Sequence, residues 1–484
     1  MKKLTDILKN PPVREVCGDT AAAIGGLVYD SRAVKPGDCF FAVPGTQSDG
    51  HDYIPMAVEK GAAAIVCERM PADAAEGVAY VLVGDSAGAM ADMAAAFYDY
   101  PSRELKLVGI TGTNGKTTTA TLLYDLVRAM GYKAGLISTV VYKIDGREVE
   151  ATHTTPDSIR LNAMMREMAD AGCAYCFMEC SSHAIVQERT RGLDFAGGIF
   201  SNITHDHLDY HKTFAEYIRA KKLFFDGLPK GAFALTNADD RNGRVMVQNT
   251  AAAVSAYSLR AMADFRCKIV EMHLDGMLLR IDGQELWVGL LGRFNAYNLL
   301  AVYGAAVLLG LDRGEVLRVL SMLHAVSGRF EKIRAANGTT AIVDYAHTPD
   351  ALENVIQTIE EIRTPGQQLI VVCGCGGDRD RTKRPEMAAI AVKYATTAVF
   401  TSDNPRHESP EAILDDMVAG LEPGARYLRI ADRAEAIRTA VMLSRPGDIL
   451  LIAGKGHETY QIVGDVKHHF DDREEVRKSF ELLN

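Results

Sequence analysis

Residues 105–110 form an apolar run of strand character, and Thr111-Gly112-Thr113-Asn114-Gly115-Lys116-Thr117 follows it directly. Beyond the loop, Leu123, Leu126, Val127 and Met130 recur on one helical face, which Gly131 closes. Strand, glycine-rich turn and helix in this order belong to parallel α/β folds, where the turn offers backbone N–H groups to an anion. Gly112 and Gly115 let the backbone approach phosphates, Lys116 bridges the outer ones, and the Thr117 hydroxyl can hold Mg²⁺. Thr113, Asn114 and Thr118 complete the stretch expected to contact a nucleotide. The strict Walker spacing fails, because its first glycine would fall at Ile110. The loop is instead a T-G-T-N-G-K-T variant.

The chain has 484 residues, more than one ordinary core accommodates, and at about 150 residues per domain three units are expected. An alanine-rich helical segment, 87–96, stops before Pro101-Ser102, where a fresh apolar run begins. Ser327-Gly328-Arg329 ends a helical region ahead of a new β-α series at 339–344. The expected domains are therefore 1–100, 101–326 and 327–484. A formal net charge of −10 without long lysine or arginine runs argues against a nucleic-acid partner. Near the amino terminus no apolar stretch reaches signal-peptide length, and the most apolar segment, 299–311, is too short to span a bilayer. A cytoplasmic protein without stable membrane insertion is expected. Nine scattered cysteines fit a reducing compartment, and Cys173 and Cys176, lacking a second pair, read as packing of a buried strand rather than a zinc site.

In the last third, three apolar runs each end in a polar or glycine-rich loop. Residues 369–373 precede Gly374-Cys375-Gly376-Gly377-Asp378-Arg379, 398–401 precede Asp403-Asn404-Pro405-Arg406, and 449–452 precede Gly454-Lys455-Gly456-His457-Glu458. Loops at the carboxyl ends of strands in an open α/β sheet gather where ligands bind, so the three are expected to line one pocket. Upstream, Glu179 ends the buried-strand pattern 175–178, a place where a carboxylate suits a metal. His205-Asp206-His207-Leu208-Asp209-Tyr210-His211 packs five possible ligands into seven residues. Because Mg²⁺ prefers oxygen, this histidine-dense run by itself suggests zinc or manganese as readily, and the plainer alternative is a polar loop with surface histidines.

Together these segments resemble the Mur ligase family over essentially the whole chain. Besides the phosphate loop, the resemblance rests on Thr154-Thr155-Pro156, Glu179-Cys180-Ser181-Ser182-His183, Asp206-His207-Leu208-Asp209, Asn295 and Asn298, Ser327-Gly328-Arg329-Phe330-Glu331, Asp344-Tyr345-Ala346-His347 and the three carboxyl-terminal loops. It implies an α/β fold of three domains: a UDP-sugar-binding amino-terminal domain, a central ATPase domain on a phosphate-loop parallel sheet, and a Rossmann-like carboxyl-terminal domain. The implied activity is ATP-dependent, ADP-forming addition of meso-2,6-diaminopimelate to UDP-N-acetylmuramoyl-L-alanyl-D-glutamate through an acyl phosphate, in peptidoglycan precursor synthesis. A lysine-adding ligase and a folylpolyglutamate synthetase, which lacks the uridine-type first domain, are the alternatives.

The resemblance also distributes roles. Tyr29, Ser31, Thr46, Gln47 and Ser48 would contact the UDP-sugar, and His153, Thr154, Thr155, Ser181, Gln187 and Arg189 the muramoyl-dipeptide. His153 stands where many members have asparagine. Asn295, Arg329 and Asp344 would join the phosphate loop around ATP. Thr117, Glu179, His207 and a carbamylated Lys221 would hold Mg²⁺, and Lys116, Lys221, His207 and Glu179 form the implied catalytic set. On a helix Lys221 shares a face with Tyr217, four residues earlier, while Lys222 points about 100° away. Arg379, Asp403, Asn404, Pro405, Arg406, Gly454 and Glu458 would take diaminopimelate, the arginines facing its distal carboxylate and Glu458 its distal ammonium. Small-molecule substrates and a monomeric state are expected.

Overall fold

The computed structural model describes residues 1–45, 48–204 and 208–483. Its amino-terminal sheet orders the strands Val13–Cys17, Ala79–Val83, Ala64–Cys67, Cys39–Phe41 and Leu27–Val28, the first pair antiparallel and the rest parallel. The helix Ser86–Phe97 covers it, started by the Asp85 carboxylate, which accepts from the Gly88 amide.

The central sheet has eleven strands. Seven of them run parallel in the order Ala134–Ile137, Tyr175–Glu179, Lys106–Thr111, Gly197–Phe200, Phe233–Asn237, Ala253–Ser258 and Phe265–His273. Parallel strands are covered on both faces, which is why they read as unbroken apolar runs rather than alternating ones. Lys106–Thr111 lies between Tyr175–Glu179 and Gly197–Phe200. Their carboxyl ends therefore deliver the phosphate loop, Glu179 and the segment 201–204 to one place.

The carboxyl-terminal sheet has six strands, Glu331–Arg334, Thr340–Asp344, Ile449–Ala453, Leu369–Cys373, Thr397–Phe400 and Tyr427–Arg429. The first pair is antiparallel and the others parallel. This sheet opens eight residues before the apolar signal at 339, because Glu331–Arg334 is a half-buried edge strand whose charged side chains hide it. The preceding helix also stops sooner than its sequence suggests, at Leu320. The connection after it needs left-handed backbone at Gly328, where a Cβ would lie 2.0 Å from the His457 nitrogen.

One buried ion pair braces this last domain. Arg433 and Asp472 are both 0% exposed at the side chain, and Nε and Nη2 of the arginine meet the two carboxylate oxygens at 2.7 and 2.8 Å. The remaining donors reach the carbonyls of Ser402 and Ala453, at the roots of two functional loops. Replacing one partner strands the other charge in a water-free site, so Asp472→Ala should destabilise the carboxyl-terminal domain by about 3–5 kcal/mol. Urea unfolding followed by fluorescence and circular dichroism checks this; an unchanged midpoint would contradict it.

Candidate active site

The phosphate loop is held from beneath by the segment 201–204. Asn202 receives the Asn114 amide on its side-chain oxygen at 2.9 Å, and its carbonyl accepts from the Thr113 amide at 2.8 Å. Ser201 Oγ and Asn202 Nδ2 both donate to the Asn114 carbonyl. Gly112 and Gly115 have positive φ, and a Cβ on Gly112 would lie 1.9 Å from Ser201 Oγ, so the loop is closed to larger residues. The helix Lys116–Ala129 starts at the loop, and Lys116 Nζ donates to the carbonyls of Gly112 and Thr113.

Lys221 lies on the helix Phe214–Asp226, and its side chain is buried. Its Nζ sits 4.6 Å from the Tyr217 ring centroid, as their shared helical face requires, and donates to the Gly112 carbonyl at 2.7 Å. Glu179 is fully buried, and its two carboxylate oxygens accept from the Thr139 amide and hydroxyl. Arg329 comes from the connection to the last domain; it stacks on Tyr345 and donates to Thr117 Oγ at 3.3 Å. The Nε of Arg329 is buried without a hydrogen-bond partner among the described residues, as expected of a donor awaiting an anion. Asp344 accepts from the Phe330 amide; burial raises its pKa, against the pull of Arg329. Burial, helped by Arg329, pushes His457 down to about 3, so this ring stays neutral beside the arginine.

Other expected residues vary in how closely they approach. Thr155 donates to the Glu179 carbonyl and contacts Ser181, while Arg189 donates to the Thr155 carbonyl and to Gln187. Thr154 meets Thr139 beside Glu179. His153 is exposed, anchored by its backbone to the Tyr142 hydroxyl. In the first domain Ser31 is buried, Ser48 is exposed, and Tyr29 lies within electrostatic reach of Arg189 and Asp157. Thr46, Gln47 and His207 lie outside the described residues. Asn295 turns its amide to the Leu291 carbonyl and accepts from Asn298, and it is Asn298 that lines the nucleotide-side cavity. Pro405 shapes a turn, its carbonyl accepting from the Glu408 amide, and does not line the cavity below it.

The three carboxyl-terminal loops do meet. Asn404 Nδ2 donates to Glu458, and Lys455, fully buried at its side chain, donates to both Asn404 and Glu458. Arg406 donates to the Gly377 carbonyl at 2.9 Å. Glu408 locks the first two loops together by accepting from the Asp378 amide and from Arg381 and Arg384, and the Arg384 guanidinium holds its carboxyl down to about 2. A Cβ on Gly454 would lie 2.7 Å from Asp403, so the third loop needs glycine there.

Three cavities with shared lining residues adjoin at this centre. One of about 320 Å³ runs from Gly115 and Asn298 to Tyr297 and Asn354. A second, about 190 Å³, holds Lys116, Thr117, Glu179, Lys221, Arg329 and Asp344, and shares Arg329 and Asp344 with the first. The third, about 930 Å³, contains Arg379, Asp403, Asn404, Arg406, Gly454 and Glu458, and shares Thr154, Tyr345 and His347 with the second. The arrangement places an anion-binding cleft between a nucleotide-sized pocket and a zwitterion-lined one.

Comparison with known proteins gives a consistent pattern. Residues 23–98 match the family described as Mur ligase family, catalytic domain; 110–306 match the Mur ligase middle domain; and 328–456 match the Mur ligase glutamate ligase domain. The chain is 55% identical over 480 residues to the UDP-N-acetylmuramoyl-L-alanyl-D-glutamate--2,6-diaminopimelate ligase of Phocaeicola vulgatus, covering 99% of each. A protein of the same name from Bacteroides fragilis is 55% identical over 482 residues, again with 99% of each covered. A solved structure of a ligase so named superposes with a TM-score of 0.71 at 32% identity, over 100% of this chain and 99% of that one. A Mycobacterium tuberculosis folylpolyglutamate synthase shares the fold at 18% identity and TM-score 0.62, but covers only 75% of this chain.

Proposed function

Because this chain belongs to the Mur ligase family, an ATP-dependent, ADP-forming group of peptide ligases, we propose that it joins 2,6-diaminopimelate to UDP-N-acetylmuramoyl-L-alanyl-D-glutamate in peptidoglycan precursor synthesis. The observation that carries the reading is the adjacency of the three cavities, which share lining residues, with Lys116, Lys221 and Arg329 in the narrow one. Neither alternative, lysine addition or folate glutamylation, has support among the full-length relatives.

A carboxylate does not accept an amine, because its oxygen is too poor a leaving group. In the narrow cavity the substrate's glutamyl carboxylate attacks the γ-phosphorus, the bond to the β-γ bridging oxygen breaks, and ADP leaves. The amine then attacks the acyl carbon, phosphate departs from the tetrahedral intermediate, and the amine loses a proton. Lys116 and Arg329 bring positive charge to the transferring group, and Thr154, Thr155, Ser181 and Arg189 are positioned to orient the glutamyl end. The cleft suits ATP and Mg²⁺ together: an orphaned guanidinium nitrogen waits for phosphate, while the Thr117 hydroxyl and the buried Glu179 carboxylate are oxygen donors for the metal. Bound Mg²⁺ would neutralise phosphate charge and polarise the γ-phosphoryl group. We assign His207 and Lys221 to the same metal site, and place the domain boundaries at 100/101 and 326/327. Cytoplasmic work as a monomer completes the proposal; among the described residues no helix is long and apolar enough to cross a membrane. Purified protein given ATP, the UDP-linked dipeptide and a panel of amino acids tests it by mass spectrometry. Product with diaminopimelate alone is expected, and phosphate release without any amino-acid adduct would refute it.

The carbamate on Lys221 is the finer part of the cofactor assignment. Three cations, Lys116, Lys221 and Arg329, stand in the narrow cavity against two carboxylates, Glu179 and Asp344. The Nζ ammonium first gives up one proton; addition of CO₂ to the neutral amine then forms an N–C bond with loss of a second proton, so that one cation becomes an anion and the cavity becomes hospitable to a divalent ion. Lys222 is instead tied to Asp226 at 2.5 Å. Lys221→Ala should be nearly inactive, since loss of a ligand costs more than the roughly 10- to 100-fold of removing a ligand's support, and should recover part of its activity with formate or acetate. Full activity of that variant together with an inactive Lys222→Ala would show the wrong lysine was chosen.

A further inference from the structure

Asp350 is the second residue of the helix Pro349–Ile362, in the carboxyl-terminal domain. Its Oδ2 accepts from Asn114 Nδ2 at 2.9 Å and from Thr204 Oγ at 3.3 Å, crossing into the central domain at both bonds. Asn114 belongs to the phosphate loop, and the Thr204 amide donates to the Thr113 hydroxyl of the same loop at 3.0 Å. A single carboxylate oxygen therefore grips two segments that define the loop's shape. Asp350 also lines both the 930 Å³ cavity, beside Thr348 and Lys383, and the 320 Å³ cavity, beside Asn354.

From this geometry we propose that Asp350 is a positioning residue through which the nucleotide site and the amino-acid cavity sense one another. Filling the larger cavity sets the position of the helix start, and the two charge-assisted bonds pass that position to Asn114 and, through Thr204, to Thr113. Amino acid in place then favours the loop conformation that holds nucleotide, and by linkage nucleotide favours amino-acid binding to the same degree. A carboxylate suits the role better than asparagine, because ionised acceptors bind neutral donors more strongly and either oxygen can serve. The inference rests on diaminopimelate occupying the larger cavity.

Calorimetry on the full-length protein tests it, with the nonhydrolysable nucleotide AMP-PNP and Mg²⁺ titrated in the absence and presence of saturating diaminopimelate. In the native protein diaminopimelate should tighten nucleotide binding by roughly 5- to 150-fold, the normal span for coupled sites. Asp350→Ala should bring that ratio close to 1 while both ligands still bind, Asp350→Asn should restore part of it, and Thr204→Val, which removes one of the two donors, should weaken it independently. Turnover should fall mainly through higher Michaelis constants for both ATP and amino acid, a pattern that general destabilisation does not produce. A native ratio of 1, or an unchanged ratio in Thr204→Val and Asp350→Ala, overturns the inference. Absence of any diaminopimelate binding to the native protein would instead sink the substrate assignment on which it stands.

Discussion

Lys116→Ala is expected to fold normally and to turn over at least about 10³-fold more slowly, the scale on which loss of a positioned charge at a transferring phosphoryl group is felt. Lys116 leads the helix after the phosphate loop, and its ammonium donates to the Gly112 and Thr113 carbonyls at 3.0 and 2.8 Å. Those bonds hold it, half-buried, in the lining of the narrow cavity, where it would face the phosphate oxygens of a bound nucleotide. Removing it therefore leaves the sheet and helix intact but withdraws a charge that offsets the mutual repulsion of carboxylate and γ-phosphate. Circular dichroism and ADP release, measured on the same preparation, check both halves. An intact fold with retained activity would remove Lys116 from the nucleotide site.

How much of this site the sequence disclosed depends on how local each feature is. The phosphate loop was legible because strand, glycines and helix lie within a few dozen residues, and the structure sets it between Tyr175–Glu179 and Gly197–Phe200. The convergence of the three late loops was legible too, since parallel neighbours Leu369–Cys373, Thr397–Phe400 and Ile449–Ala453 must release their loops at one edge. Helical spacing sufficed to place Lys221 beside Tyr217. The resemblance pointed to Asn295 for the nucleotide, yet its amide donates to the Leu291 carbonyl, and Asn298, three residues later on the same helix, is the one that lines the cavity, a distinction that spacing does not carry. Nor could spacing find Asp350, whose partner Asn114 is 236 residues distant. The only local hint was its place just after the Asp344-Tyr345-Ala346-His347 motif, at a helix start. The edge strand Glu331–Arg334 escaped notice because a half-buried, charged strand carries no apolar run.

Acceptor choice is the second large effect, and it turns on one functional group, since diaminopimelate differs from lysine by a distal carboxylate. Arg406 sits at a positive φ of 51° at the end of the second loop, and Nη1 is committed to the Gly377 and Asn404 carbonyls. That anchoring sets the plane of the guanidinium, and among the described residues Nε and Nη2 make no hydrogen bond, so they could receive a carboxylate as a bidentate fork. Arg379 lines the same cavity. Glu458 does not discriminate: Asn404 and Lys455 hold its Oε2, and Oε1 can accept the distal ammonium that both amino acids carry. With lysine bound, an arginine would be desolvated without a partner, at a cost of about 2–5 kcal/mol. At about 1.4 kcal/mol per decade, the native protein should prefer diaminopimelate by roughly 30-fold to several thousandfold in kcat/KM. Arg406→Ala should lose most of that preference through a higher KM for diaminopimelate, with kcat less affected, because Glu408 and Arg384 still clamp the loops in place. Steady-state kinetics with both amino acids on both proteins decide the matter. Comparable native efficiency with lysine and diaminopimelate would overturn the specificity assignment and leave the ligase chemistry standing.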